Sequence, residues 1–365
     1  MARRNQRTST QDKIAAAREK QATAFRQKAT ILEAKAADKL RDRDMGTWRK
    51  LAQALTARRE GHQMVQLKTA LSYLADGLEA DALDYPLSAL SKVSQVDYAV
   101  SVAARYGLDE AAIAQRDMNG RSLWDVQGIA AECRQPESSI GMLYGELGLA
   151  APTEMVALIH RLHDIIEGSG CIDWEAEELL RLRAEVRLKK IPGFIPTPPA
   201  LVDELLHYLN LQVGDRLLEP AAGDGVILER VREFFPDMPL HCCEINLDLN
   251  RILQLAGFEP ECRDYFDWEP SEGQRPNKIA ANPPFEGLED ADFIYRMWEH
   301  LAPGGRLATI TSNSWSFSSR KKANEFRRWM GQIPQIIVDK ENSRDAFKPS
   351  GYSILTRLLV LQKPQ

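Results

Sequence analysis

Asn282-Pro283-Pro284-Phe285 follows a short apolar run, Lys278–Ala281, that reads as a buried parallel strand. The Asn282 side-chain oxygen and the Pro283 carbonyl are two acceptors, each able to take one hydrogen of a planar amino group. Such an amine is a poor nucleophile, because its lone pair is delocalised into the ring that carries it. Two acceptors pull the nitrogen toward sp³ and aim the lone pair, and the prolines hold them in place beforehand. Pro284 stiffens the loop further, and Phe285 offers a face for stacking on the ring. The plainer alternative is a strand-ending Pro-Pro turn with no ligand.

Upstream, Leu217-Leu218-Glu219-Pro220-Ala221-Ala222-Gly223-Asp224-Gly225 reads as a strand entering a glycine turn and then a helix. Ala221, Ala222, Gly223 and Gly225 leave the backbone open to a ligand. The glycines permit φ > 0, and the following helix offers its first N–H groups. Glu219 and Asp224 beside the turn suit a zwitterionic methionine moiety carrying an ammonium and a sulfonium. A dinucleotide site would instead turn the helix end toward a pyrophosphate. A tight structural turn is the alternative here. Glu244 ends the second strand, twenty-five residues after Glu219, where a carboxylate can accept both ribose hydroxyls. Ile245 follows it as a further cofactor contact. The ribose role fits S-adenosylmethionine and NAD alike. The third strand ends near Arg263-Asp264-Tyr265-Phe266, where Asp264 can accept from an adenine amino group and Tyr265 or Phe266 can flank the ring.

These side chains converge only if a doubly wound sheet brings its strand ends together. From Arg216 onward, strands at Arg216–Glu219, Leu240–Glu244, Glu259–Cys262, Lys278–Ala281 and Arg306–Thr311 alternate with helices at 225–234, 247–256 and 290–301. This βαβ order predicts an α/β fold with a mostly parallel sheet and helices on both faces. Gln335–Val338 and Ile354–Gln362 have no adequate crossover helix between them, so they are expected to pair antiparallel. Ile191–Pro199 is too proline-dense for a helix or central strand, and a helix starts at Pro198-Pro199. Everything earlier reads as all-α: a long exposed helix from Thr10 to about Asp44, then Trp48–Arg59, Met64–Leu78, Leu90–Tyr106, Glu154–Glu167 and Trp174–Lys189. The expected domains are a basic helical arm (1–45), an all-α domain (46–189) and the α/β domain (190–365).

At 365 residues and 44% apolar content, the chain has material for two cored domains. No run of eighteen apolar residues and no secretory h-region is present, so neither a membrane span nor export is expected. The five cysteines (Cys133, Cys171, Cys242, Cys243, Cys262) show no zinc-ligand spacing and no disulfide framework, and read as reduced thiols of a cytoplasmic protein. His160 and His163, without a Cys or carboxylate cluster, read as a structural or solvated pair rather than metal ligands. The net charge of -5 hides an asymmetry, since residues 1–60 carry sixteen Lys and Arg against seven Asp and Glu. Such an arm suits a polyanion, with Arg3, Arg4, Arg7, Lys13, Arg18, Lys20, Arg26 and Lys28 as candidate phosphate contacts. A solvated helix surface is the alternative.

Taken in order, the motifs of residues 190–365 resemble class I S-adenosylmethionine-dependent methyltransferases, and among them the phage- and plasmid-type adenine-N6 DNA methyltransferases. Phe194-Ile195-Pro196-Thr197-Pro198-Pro199 resembles the segment before their first strand, and Leu218–Gly225 their first motif. Asp292-Phe293-Ile294, Pro303-Gly304-Gly305-Arg306-Leu307 and Phe347-Lys348-Pro349-Ser350-Gly351 also match. The resemblance implies a Rossmann-like methyltransferase fold with an antiparallel C-terminal hairpin. It implies S-adenosylmethionine as cofactor, with Ile195, Pro196 and Thr197 against its methionine end. It further implies DNA as partner and direct in-line transfer to adenine N6 after base flipping. Cys242 and Cys243 lie on the second strand, away from the base loop, which disfavours a cysteine-nucleophile cytosine-C5 mechanism.

Two features depart from the family. No extended target-recognition segment separates Asp264 from Asn282, so target choice is expected from the helical half, from loops 312–322 and 339–353, or from a partner protein. Gly351-Tyr352-Ser353 stands where Gly-Thr is usual. Rival readings are an RNA adenine-N6 or guanine-N2 methyltransferase, a protein glutamine methyltransferase and a non-catalytic nucleic-acid-binding module. The Glu219-Pro220-Ala221-Ala222 form favours DNA, and the intact Asn282, Glu244 and glycine turn argue against a bare module.

Overall fold

Leu217 and Leu218, Ile279 and Ala280, Leu307 and Ala308, and Leu358 and Leu359 are neighbours in the chain that bury into two different apolar cores. A strand sends alternate side chains to opposite faces, so strands that are apolar at every position need helices on both sides. The computed structural model describes residues 10–106, 126–332 and 335–365, and it meets that requirement. Strands β1 (Leu217–Glu219), β2 (Leu240–Cys242), β3 (Lys278–Ala281), β4 (Arg306–Ser312), β5 (Ile336–Glu341) and β6 (Thr356–Gln362) form one sheet in the order β2-β1-β3-β4-β6-β5. The first four are parallel, whereas β6 runs antiparallel to both β4 and β5, as the missing crossover helix predicted. Helices Pro199–Leu209 and Val226–Phe234 cover one face through Leu205, Leu228 and Val231. Glu289–His300 and Lys321–Met330 cover the other through Ile294, Met297 and Phe326.

The expected strand Glu259–Cys262 is reduced to a single parallel bridge, Cys243 with Glu261. Pro260 has no N–H to donate, and Cys262 and Arg263 are exposed, so the ladder stops after one step.

The chain divides into compact units Met1–Trp174 and Glu175–Gln365. The helix Trp174–Lys189, assigned from sequence to the helical half, therefore packs with the second unit, its Leu182 and Val186 against Leu249 and Ile252 of the helix Leu247–Leu255.

In the first unit, Trp48–Glu79 is one continuous helix through Gly61 rather than two. Thr10–Leu40 is not an exposed arm: Ala22, Phe25, Ala29, Leu32 and Ala36 bury a seam. Arg18 pairs with Asp81, Arg26 with Asp76 and Glu79, and Lys39 with Glu60, so the two long helices run antiparallel. Two of the candidate phosphate contacts, Arg18 and Arg26, are thus engaged with acids of the same unit. Lys13 and Lys20 are exposed, and Arg3, Arg4 and Arg7 lie outside the described residues. His163 Nδ1 lies 3.1 Å from the Ala103 carbonyl, and His160 faces Asp164. Among the described residues no single helix is long and apolar enough to cross a membrane. The bent pair Ser139–Leu147 and Pro152–Gly168 passes by length and composition together, but Ile140, Leu143, Met155, Leu158 and Ile159 of that pair lie in the core.

Gly305 seats the start of β4. A Cβ there would lie 2.8 Å from the Ala302 carbonyl oxygen and 2.9 Å from that of Asn277, backbone atoms that cannot rotate aside. Gly305→Ala is expected to cost about 1–3 kcal/mol of stability, read as a lower urea midpoint of the full chain. An unchanged midpoint would show that this edge of the sheet yields freely.

Candidate active site

β1 leads to β2 on one side of the sheet, and β3 leads to β4 on the other, although β1 and β3 are neighbours. The crevice beyond the carboxyl ends at such a switch point is where doubly wound sheets receive ligands. A cavity of about 510 Å³ lies there, within the usual range of roughly 300–1,000 Å³ for small-molecule sites. Glu219 at the end of β1, Glu244 after β2 and Asn282 after β3 all line it.

The glycine turn is tightly built. Gly223 has φ +57°, and a Cβ there would lie 2.8 Å from the Phe194 ring. Its N–H donates to Glu244 Oε2 at 2.8 Å, while Glu244 Oε1 accepts from the Asn246 N–H at 2.8 Å. Both oxygens are thereby oriented, and each keeps a lone pair. Glu219 and Asp224 are each only 2% exposed. Among the described residues nothing donates to Glu219 Oε2 or Asp224 Oδ2, although the Arg187 guanidinium stands 3.7 Å from the latter. Burial, then the charges of Asp224 and Glu244, push the Glu219 carboxyl well above the ordinary range. Burial also raises Asp224 against the pull of Arg187 and Arg183, and raises Glu244 against its N–H donors. Three buried acids with free lone pairs suit a cationic guest.

Arg183 was missed from sequence. Its guanidinium donates to the Asp224 carbonyl at 3.2 Å and to Glu229 at 2.6 Å, tying the turn to the Val226–Phe234 helix. The usable signal was the four-residue spacing of Arg183 and Arg187, which puts both on one helix face.

The Asn282 amide is held from one side only. Nδ2 donates to the Ile195 carbonyl at 3.1 Å and to Thr197 Oγ1 at 2.9 Å, and Oδ1 is buried without a partner among the described residues. Two acceptors at the nitrogen fix which way the amide lies, leaving the oxygen free to accept.

Of the other residues singled out from sequence, Ile195, Thr197, Ala221, Gly223, Asp224, Ile245, Asp264, Tyr265 and Pro284 line the cavity, and Pro196, Gly225, Pro283 and Phe285 do not. Phe285 is half-buried against the core that holds Leu217 and Ala280. The Tyr265 ring is packed between Trp268 and Phe293, and its hydroxyl is 2.8 Å from His300 Nδ1, so it is part of the core rather than a free ring face. Phe293, quoted above only as part of a motif, lines the cavity as well. The thiols of Cys242 and Cys243 are each pushed up to about 12 by burial, which leaves neither as a thiolate near neutrality.

No protein-family model matches the chain, and no curated protein does. Solved structures with a similar fold are found. One from Listeria monocytogenes, described as a class I S-adenosylmethionine-dependent methyltransferase, shares 14% identity at a TM-score of 0.41, covering 66% of this chain and 86% of its own. An RNA methyltransferase from Salinibacter ruber, in complex with S-adenosyl-L-homocysteine, shares 16% at a TM-score of 0.33, covering 47% and 95%. One from Vibrio vulnificus YJ016, described as a modification subunit of a type I restriction enzyme, shares 14% at 0.42, covering 92% and 81%. At such scores the neighbours carry no argument about substrate, and the functional reading stands on the residues of the rim.

The raised carboxylates make the ligand-free fold pH-dependent. Each has a folded-state pKa above its unfolded value, so the stability it confers is full at or below the ordinary carboxylate range. That contribution is lost as pH rises through the raised values. Unfolding midpoints of the ligand-free chain should therefore fall between mildly acidic and neutral pH, and Glu219→Gln should flatten the fall and stabilise the chain at neutrality. A Glu219→Gln profile parallel to that of the unaltered chain would remove Glu219 from this account.

Proposed function

We propose that the Glu175–Gln365 unit transfers a methyl group from S-adenosylmethionine to N6 of adenine in DNA. The observation that carries this is Asn282, which lines a cavity with three buried carboxylates, its amide nitrogen engaged by Ile195 and Thr197 and its oxygen left without a partner among the described residues. The residues present fit the cofactor. Glu219 and Asp224 would face its ammonium and sulfonium charges, and Glu244 would take the ribose hydroxyls. Asp264, whose Oδ1 already accepts the Phe266 N–H at 3.0 Å, keeps its second oxygen for the adenine amine. Ile245 and Phe293 supply apolar lining for the ring. Bound there, S-adenosylmethionine supplies an electrophilic sulfonium methyl.

The chain's own contribution is orientation. Asn282 Oδ1 accepts a hydrogen of the target amine and turns its lone pair into the cavity, and Pro283, which does not line the cavity, stiffens the loop that holds these groups in advance. A base inside a duplex cannot reach them, so the nucleotide must be extruded. Phe285, packed away from the cavity, is not given the stacking role. Adenine and DNA are supported by the Asn-Pro-Pro-Phe loop and the Glu219-Pro220-Ala221-Ala222 turn, and a cytoplasmic setting by the free cysteines. Choice of target sequence falls to surfaces outside the cavity or to a partner protein.

Transfer of tritiated methyl groups to DNA, RNA and protein tests the reading: label should enter DNA and be recovered as N6-methyladenine, and label confined to RNA or protein would overturn it. Asn282→Ala should leave cofactor binding nearly intact and lower turnover roughly 10²–10³-fold, whereas Glu244→Ala should weaken cofactor binding itself. Calorimetry paired with turnover separates the two, and the reverse pattern would undo the assignment.

Thr197→Val removes one of two anchors from the Asn282 nitrogen. Losing a hydrogen bond of about 1 kcal/mol predicts turnover lower by about fivefold at unchanged cofactor affinity. Unaltered turnover in that variant would mean that Ile195 alone orients the amide.

A further inference from the structure

Phe317 is 72% exposed at the end of the four-residue helix Ser314–Phe317, directly beyond β4. In the sheet Ala281 is paired with Thr309, and β4 continues three residues to Ser312, so its end projects about 10 Å past the level of Ala281 and about 7 Å past that of Asn282. Several contacts join this rim to the segment after Asn282, among them the Ser312 N–H donating to Asp290 at 2.7 Å and Lys322 Nζ donating to the Gly287 carbonyl at 3.3 Å. Glu286 and Glu289 of that same segment line the cavity.

A lone exposed aromatic is ordinary on a protein surface. This one is held out by a fixed frame. Trp315, two residues before it, is buried edge-on to Phe326 with ring centroids 5.2 Å apart. The Arg327 guanidinium donates to the carbonyls of Trp315 and Ser318, on either side of Phe317. Asn313 at the base of the loop donates to Glu341 at 3.0 Å. Exposed Arg320 follows, then Lys321, whose side chain is 89% exposed with Glu325 at 3.8 Å. The rim thus presents an exposed aromatic ring on a braced backbone, next to exposed cations.

Extruding a base leaves a gap in the stack, and apolar wedges fill such gaps in bent or opened duplexes. Aromatic stacking is indifferent to sequence and needs only a π-face. We propose that Phe317 is the wedge that enters the duplex where the target nucleotide leaves it, with Arg320 and Lys321 on the flanking phosphates. The proposal rests on the DNA reading above.

The test uses the full chain with S-adenosylhomocysteine and two random-sequence duplexes, one intact and one with a central abasic site. The unaltered chain should bind the abasic duplex about tenfold more tightly, Phe317→Ala should lose most of that preference, and Phe317→Trp should keep it. S-adenosylhomocysteine affinity should be equal in all three, which shows that the site is folded. Arg320→Ala with Lys321→Ala should weaken both duplexes alike and flatten their salt dependence. DNA methylation combined with an undiminished abasic preference in Phe317→Ala, or with no preference in the unaltered chain, would overturn the wedge alone. Methylation of RNA or protein without DNA would overturn the functional reading and the wedge with it.

Discussion

Three carboxylates buried at the ends of β1 and β2 are the constraint around which this unit is arranged. Glu219 and Asp224 each carry an oxygen without a hydrogen bond, and Glu244 is held by backbone donors from the two loops it joins. Like charges withdrawn from water oppose folding unless a counter-charge is near. Arg187 reaches one of them from an exposed position, and Glu219 has no such partner. A fold that keeps this arrangement gives up stability, which the proposed cationic cofactor would offset. Much of the surrounding geometry follows from keeping it open. Phe194 caps the turn where only glycine fits, and Arg183 fastens the Asp224 carbonyl from a separate helix.

The second centre, Asn282, depends on a segment with no regular structure. Ile195 and Thr197 come from the proline-rich run before β1, and the amide they orient follows β3. Prolines on both sides limit the freedom of both partners, so the contact is made with little ordering cost. Asp290 then locks the continuation of the Asn282 loop to the end of β4, taking hydrogen bonds from Thr311 and Ser312. The rim therefore behaves as a connected frame rather than as separate loops.

What could be read from the sequence was local. Strands apolar at every position announced a sheet covered on both faces, and a turn of small residues announced backbone open to a ligand. Glu259–Cys262 misled because its composition suits a strand while Pro260 cannot sustain a ladder. The first long helix misled in the opposite way, since its buried seam is made largely of alanines, which hydropathy counts barely register. The link from Thr197 to Asn282 spans 85 residues, and no pattern within either segment reports it. Phe285 carried the right chemistry for stacking, but which way a loop residue faces is decided by its neighbours in the fold.

The helix Trp174–Lys189 bears on how this unit is delimited. Every recognisable motif lies after residue 190, so a boundary drawn from motifs would sever that helix from its unit. The severed piece would lose the guanidinium on the glycine turn and lay bare Leu249 and Ile252. A segment exchanged between proteins by recombination would carry its ligand site intact only if the crossover fell near Glu175. The inheritable module is thus longer than its signature, and its first helix belongs to it without carrying any of the motifs.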